Sequence, residues 1–319
     1  MQNASRGFEA NLNGLDWTDW LTGVSGGIGD TGFMDPLGDD HAAIFRSKGS
    51  TLLVSFETYP QIKEGGGASH PLGWQLVEAL GWSHLALVAQ STSWFRSPRV
   101  YGFFDNKIDD GFFEEFDQVI FYGAGACGYA AAAFSVAAPG ARVLVIQPQA
   151  TLDPRVTEWD DRFVAQRRTA FDDRFGYAPD MLDGADQAFV LYDPEIELDA
   201  MHAALFTRPN VTKFRMRHMG PRMDTDLERM NILLRMLAQL SAGKLTTLSL
   251  AQMFRARRDY GGYQFNLLKK TTRDERHQLT LWLTRHVLAK RDATPFRKAF
   301  FRAEQALHTS KSAQSAPTL

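Results

Sequence analysis

The sequence predicts an α/β protein built on a mostly parallel, doubly wound sheet, followed by a helical C-terminal region. Between residues 41 and 225, short apolar runs of strand length alternate with helical stretches, which implies a sheet covered on both faces. At the centre, Val119-Ile120-Phe121-Tyr122 runs into the glycine turn Gly123-Ala124-Gly125, and small residues continue through Ala133. After residue 225 the apolar residues fall at helical spacing, in Leu227–Leu240 and Leu279–Leu288.

In chain order, residues 1–40 read as an N-terminal arm with one short helix around Trp17 and Trp20. The sheet domain spans 41–225. Its first strands are Ala42–Phe45 and Thr51–Phe56, separated by the turn Ser47-Lys48-Gly49-Ser50. A helix over Leu72–Leu80 precedes a buried strand at His84–Ala89, and Phe112–Phe116 is expected to be helical. Beyond the central strand come a helix over Ala130–Ala137 and two apolar strands, Arg142–Gln147 and Ala188–Tyr192. The helical region covers 226–309, and the tail 310–319 is expected to be disordered.

The balance of 35 basic and 37 acidic residues gives a formal charge of −2, which supplies no bulk drive toward nucleic acid or membrane. The single cysteine excludes an internal disulfide framework and suits a reducing compartment. Met1–Ala10 lacks the basic and apolar regions of a signal peptide, and no apolar run approaches the roughly 18 residues that span a bilayer. A cytoplasmic protein is the expectation. No Cys/His cluster suggests zinc, no phosphate-binding G-x-x-x-x-G-K-[ST] occurs, and no cofactor is called for.

The segment Tyr122–Ala131 has the build of a nucleophile elbow, a tight strand-to-helix turn that lifts one side chain above the sheet. It resembles the α/β-hydrolase superfamily, in particular bacterial hydrolase-like proteins whose elbow reads roughly Tyr-Gly-Ser-Ser-Met-Gly-Gly-Tyr-Ala-Ala. Aligning on Tyr122-Gly123 and Gly128-Tyr129-Ala130-Ala131 puts Gly125 at the serine position and Cys127 at the second glycine. A second register, as in hydrolases similar to dienelactone hydrolase, makes Cys127 the nucleophile but puts Tyr129 where the pattern wants a small residue.

The resemblance implies an acid and then a histidine downstream of the elbow. Asp193, at a strand end, and Asp199, at a helix start, are the acid candidates; as ordinary residues they are a turn and a helix N-cap. His218, in Arg217-His218-Met219-Gly220, stands where related hydrolases keep the base. Gln147 replaces the first serine of the Ser-Pro-Gln segment that follows the next strand in this group. Phe56 and Ala126 are the oxyanion candidates, with Gly123, Gly125 and Gly128 forming the elbow. For Cys127 the default is a buried small hydrophobe; the alternative is a thiolate at a helix N-terminus.

Three functions follow. The first is a hydrolase-like protein without its serine, a pseudoenzyme that binds a small molecule or acyl ligand. The second is an esterase or thioesterase using Cys127 and His218. The third rests on Gly23–Thr31, which resembles the Ser-Gly-Gly-x-Asp-Ser loop of ATP pyrophosphatases and sulfonucleotide reductases such as phosphoadenosine phosphosulfate reductase. Its spacing has one residue too many, and no apolar strand precedes Ser25. The basic stretch Arg255–Arg276, interspersed with Asp259, Asp274 and Glu275, is taken as a solvated helical surface.

Overall fold

The computed structural model describes residues 11–65, 68–166 and 168–314. An eight-stranded sheet forms its centre: β1 (Phe33–Pro36), β2 (His41–Arg46), β3 (Thr51–Thr58), β4 (Ser83–Ala89), β5 (Gln118–Ala124), β6 (Arg142–Ile146), β7 (Gln187–Tyr192) and β8 (Val211–Arg215). Their spatial order is β1-β2-β4-β3-β5-β6-β7-β8. β2 runs antiparallel to both β1 and β4; every other pairing is parallel. The sheet therefore has the mostly parallel character expected from alternating strands and helices.

Period-two alternation explains why it is buried on both sides. Val119 and Phe121 of β5, Val143 and Val145 of β6, and Ala188 and Val190 of β7 pack into one apolar layer. Ile120 and Tyr122, Leu144 and Ile146, and Phe189 and Leu191 pack into the other. β3 follows the first layer with Leu52, Val54 and Phe56, but its other face carries Leu53, then Ser55 and Glu57.

Helices α1 (Trp17–Ser25), α2 (Tyr59–Glu64), α3 (Gly73–Leu80), α4 (Pro98–Asp109) and α5 (Ala126–Phe134) accompany the first five strands. Short helices α6 (Pro154–Thr157) and α7 (Ala178–Met181) lie in the long segment after β6, and α8 (Glu197–Leu205) joins β7 to β8. Beyond the sheet come α9 (Met223–Arg229), α10 (Leu233–Ser241), α11 (Thr247–Met253), α12 (Gly261–Arg273), α13 (His277–Leu288) and α14 (Thr294–Gln314). The helical C-terminal region is thus present. Among the described residues no helix is long and apolar enough to cross a membrane.

Several local expectations need correcting. The strands β2 and β3, joined by the turn Ser47–Ser50, are not neighbours in the sheet, because β4 lies between them. The helix expected at Phe112–Phe116 is present as a 3-10 turn, Phe112–Glu115, entered from Gly111 at φ 69. The N-terminal arm holds more than a helix, since β1 extends the sheet edge and Trp20 is fully buried. Helix α4 escaped notice although Ser97 caps it and Pro98 starts it. The run Leu227–Leu240 breaks into α9 and α10 at Asn231, which takes φ 55. Of the tail, residues 310–314 continue α14, and 315–319 lie outside the described residues.

Candidate functional site

The turn between β5 and α5 is a tight one, and its glycines divide the labour. A Cβ on Gly123 would stand 2.2 Å from the Cys127 carbonyl oxygen, and one on Gly128 would stand 3.2 Å from the Gly123 oxygen. These two positions are small because the helix folds directly back on its strand. Gly125 is different. It is the apex, with φ 58 and ψ −125, and a Cβ there would meet nothing within 4 Å. This is backbone that L-residues adopt only under strain, at the point where an elbow presents its nucleophile. Gly125 N–H donates to Ile146 O at 2.9 Å, and Tyr129 N–H returns to Gly125 O at 2.9 Å, fixing the apex from both sides. Eight of the nine α5 residues are buried, and the alanines Ala130–Ala133 let the helix lie close to the sheet.

A cleft of about 530 Å³ opens beside this elbow at the carboxyl ends of the strands. Ala124, Tyr122 and Cys127 line it from the elbow, Phe56 and Glu57 from β3, and Asp224 and Glu228 from α9. Glu57 is the most constrained of these. Its carboxylate accepts from Ser55 Oγ at 2.6 Å and from Leu72 N–H at 2.9 Å, and Ser55 Oγ lies 2.8 Å from His84 Nε2. Burial raises the Glu57 carboxyl to about 7 and lowers His84 to about 3. His84 is therefore neutral, so the consistent chain runs from His84 Nε2–H to Ser55 Oγ and from Ser55 O–H to Glu57. Burial also raises Asp224 and Glu228, and each has a carboxylate neighbour pushing the same way. Sequence reading passed over this trio; the i, i+4 spacing of Asp224 and Glu228 was the available signal.

Cys127 lies in the first turn of α5, buried, with Sγ 3.8 Å from Gln61 Oε1. Burial pushes its thiol well up, and Glu57 and Asp224 add to the effect. Helix position alone would favour a thiolate, but here desolvation and negative neighbours win. Of the oxyanion candidates, Ala126 is the first residue of α5, so its N–H is among the donors a helix leaves unpaired. Phe56, expected at the strand's end, lies two residues inside it. β3 continues to Thr58, Phe56 pairs with Leu87, and its ring stacks on Phe104 and Phe134.

The acid and base candidates follow β7 and β8 in the expected order but are engaged elsewhere. Asp193 accepts from Glu195 N–H at 3.0 Å and Gly220 N–H at 2.9 Å. Asp199 takes Gln147 Nε2 at 2.7 Å and an Arg162 Nη at 2.6 Å. His218 adopts φ 67, and Asn266 of α12 donates to its carbonyl oxygen at 3.0 Å. Its side chain lines a second cavity, away from the residues that line the elbow cleft. Among the described residues no hydrogen bond joins His218 to either aspartate.

A histidine the sequence did not single out is the better ordered one. Ala150 N–H donates to His202 Nδ1 at 3.1 Å, so Nε2 carries the proton toward Asp160 Oδ2 at 2.9 Å. Asp160 and Asp199 share Arg162, and the network holds the segment after β6 against α8. Its polar groups satisfy one another, which marks it as structural. The Ser25–Thr31 loop follows the C-terminus of α1, and Gly27 and Ile28 N–H groups already donate to Val24 and Ser25 carbonyls. A phosphate cradle needs free amides at a helix N-terminus, so this loop lacks the geometry. Among the described residues no group of three or more His, Cys, Asp or Glu is arranged to hold a metal.

The strand order, the antiparallel first strands and the elbow after β5 define the α/β-hydrolase fold. Solved structures similar to this chain include a capsule O-acetyltransferase of Neisseria meningitidis serogroup A, at 11% identity and TM-score 0.38, over 63% of this chain and 93% of that one. An esterase domain from a Rhodothermus marinus protein is 12% identical with TM-score 0.38, over 64% and 94%. The Glycosylation Associate Protein complex from Streptococcus agalactiae is 13% identical with TM-score 0.42, over 67% of this chain and 48% of that one. No family model and no curated protein matches the chain. At these identities and TM-scores the likenesses carry no argument, and fold and activity are argued from this chain's own topology and site.

Proposed function

We propose that this chain is a non-catalytic descendant of the hydrolase fold, which binds a small molecule or acyl group in the cleft beside the elbow without cleaving it. One observation carries the reading: the strained apex of the elbow is Gly125, which has no side chain to attack with. The volume of about 530 Å³ falls in the range of small-ligand sites. The cysteine reading has less support, because the Cys127 thiol is buried and protonated and His218 lines another cavity.

Turnover of p-nitrophenyl acetate tests the proposal. The purified protein is expected to match the buffer blank, and Cys127→Ala to change nothing. Gly125→Ser is expected to fold and to remain inactive, since Asp193 and Asp199 are held by other groups. Robust turnover by the wild type, abolished in Cys127→Ala, would replace this reading with the thioesterase one.

A further inference from the structure

We propose that the second cavity is an anion site for a compact diphosphate, free or carried by a small organic molecule. The cavity, of about 430 Å³, lies between the end of β8 and the 3-10 turn Phe254–Asp259. Arg215 and Arg217 enter it from the β8 side, and Arg255, Arg257 and Arg258 from the turn; no carboxylate lines it. A merely solvated basic surface, the reading the sequence suggested, would show arginines interleaved with acids. Here the neighbouring acids are already taken: Glu195 pairs with Lys270 at 3.1 Å and Asp259 with Lys290 at 2.5 Å. Among the described residues none of the five arginines makes an ion pair.

Arg257 shows a built site rather than a loose fringe. Its guanidinium lies 4.0 Å over the Phe254 ring and 5.3 Å from that of Tyr263, and one Nη donates to Phe254 O at 2.7 Å. Its Nε is buried and finds no hydrogen-bond partner among the described residues. Arg215 Nε is held by Tyr192 Oη at 3.3 Å. Anchored guanidinium forks of this kind match phosphate oxygens two at a time, which lysines do not. Five like charges around one cavity also repel one another until an anion of more than one charge enters. The aromatic floor offers an organic portion a face to lie against.

Isothermal titration of the full chain at about 0.15 M salt, where surface charges are largely screened, tests this with sodium pyrophosphate, ADP and inorganic phosphate. Pyrophosphate is expected to bind, with phosphate at least about tenfold weaker, because one phosphoryl group engages fewer forks. ADP tighter than pyrophosphate assigns a nucleotide-like ligand, and equal affinity assigns the diphosphate alone. Arg217 and Arg258 are exposed, so the double variant Arg217→Ala, Arg258→Ala is expected to keep its Tm and lose at least about tenfold in pyrophosphate affinity. No pyrophosphate binding at millimolar concentration would overturn the proposal. So would phosphate binding as tightly, affinity unchanged in the double variant, or a single-stranded RNA that binds and is not displaced by pyrophosphate.

Discussion

Asp193 accepts the backbone N–H of Gly220 at 2.9 Å, two residues beyond His218, and so ties the loop after β7 to the loop after β8. In a working hydrolase the carboxylate after β7 would orient the histidine. In this chain it holds the backbone of Gly220, two residues past the histidine, instead. Asp193 is almost fully buried, so its removal leaves two amides, those of Gly220 and Glu195, without an acceptor. Asp193→Ala is expected to cost about 1–3 kcal/mol, and Asp193→Asn somewhat less, because its one amide oxygen still accepts one of the two N–H groups. Urea melts check this; an unchanged midpoint in Asp193→Ala would show that the bond is dispensable.

The elbow glycines predict two different penalties. Gly123→Ala forces a Cβ to 2.2 Å from a backbone oxygen, so a loss of about 3 kcal/mol or more is expected. Gly125→Ala meets open space and bears only the strain of its φ 58, ψ −125 backbone, a cost of about 1–3 kcal/mol. Thermal unfolding of both variants decides; a larger loss at Gly125 would contradict the geometry.

Glu57 gives the stability a pH signature. Its carboxyl sits at about 7 when folded against an ordinary 4.5, so between those values the folded state holds a proton that the unfolded state has released. That contribution to stability is present at low pH and declines as pH rises through about 7. His84, held at about 3 when folded against an ordinary 6.5, pulls the other way below about 6.5, but it is present in wild type and Glu57 variant alike and cancels in their difference. Glu57→Gln keeps one acceptor oxygen for Ser55 or Leu72, puts an NH2 where the other oxygen was, and removes the titration. The stability of the variant relative to wild type is expected to increase from about pH 5 to pH 8. A pH-independent difference would place Glu57 in a more solvated setting.

Cys127 is expected to resist thiol reagents. Burial keeps the thiol protonated and out of reach, and reaction needs the exposed thiolate. Ellman's reagent is expected to titrate no thiol in the native protein and one after denaturation in guanidinium. Fast native labelling would reopen the cysteine reading.

Much of this was legible from the sequence because it is local. The alternation that buries both faces of β5, β6 and β7 and the glycine spacing of the elbow depend on neighbours a few residues away. The residues that line the cleft were not legible, because Glu57 and Asp224 lie 167 positions apart and meet only through the sheet order. The arginine cavity escaped for the same reason: Arg217 stands in the segment of the candidate base His218 and Arg257 in a stretch that reads as solvated helical surface, and nothing local joins them. His202 escaped because its role depends on Asp160, presented by the long segment after β6.

The most direct test of a nucleophile-free elbow is the intact mass of the protein after incubation with p-nitrophenyl acetate and, separately, a fluorophosphonate. An elbow whose apex is Gly125, with Cys127 buried and protonated, forms no acyl or phosphonyl enzyme. The unmodified mass is expected in both cases. A one-to-one adduct that maps to Cys127 or to another residue lining the elbow cleft would contradict it.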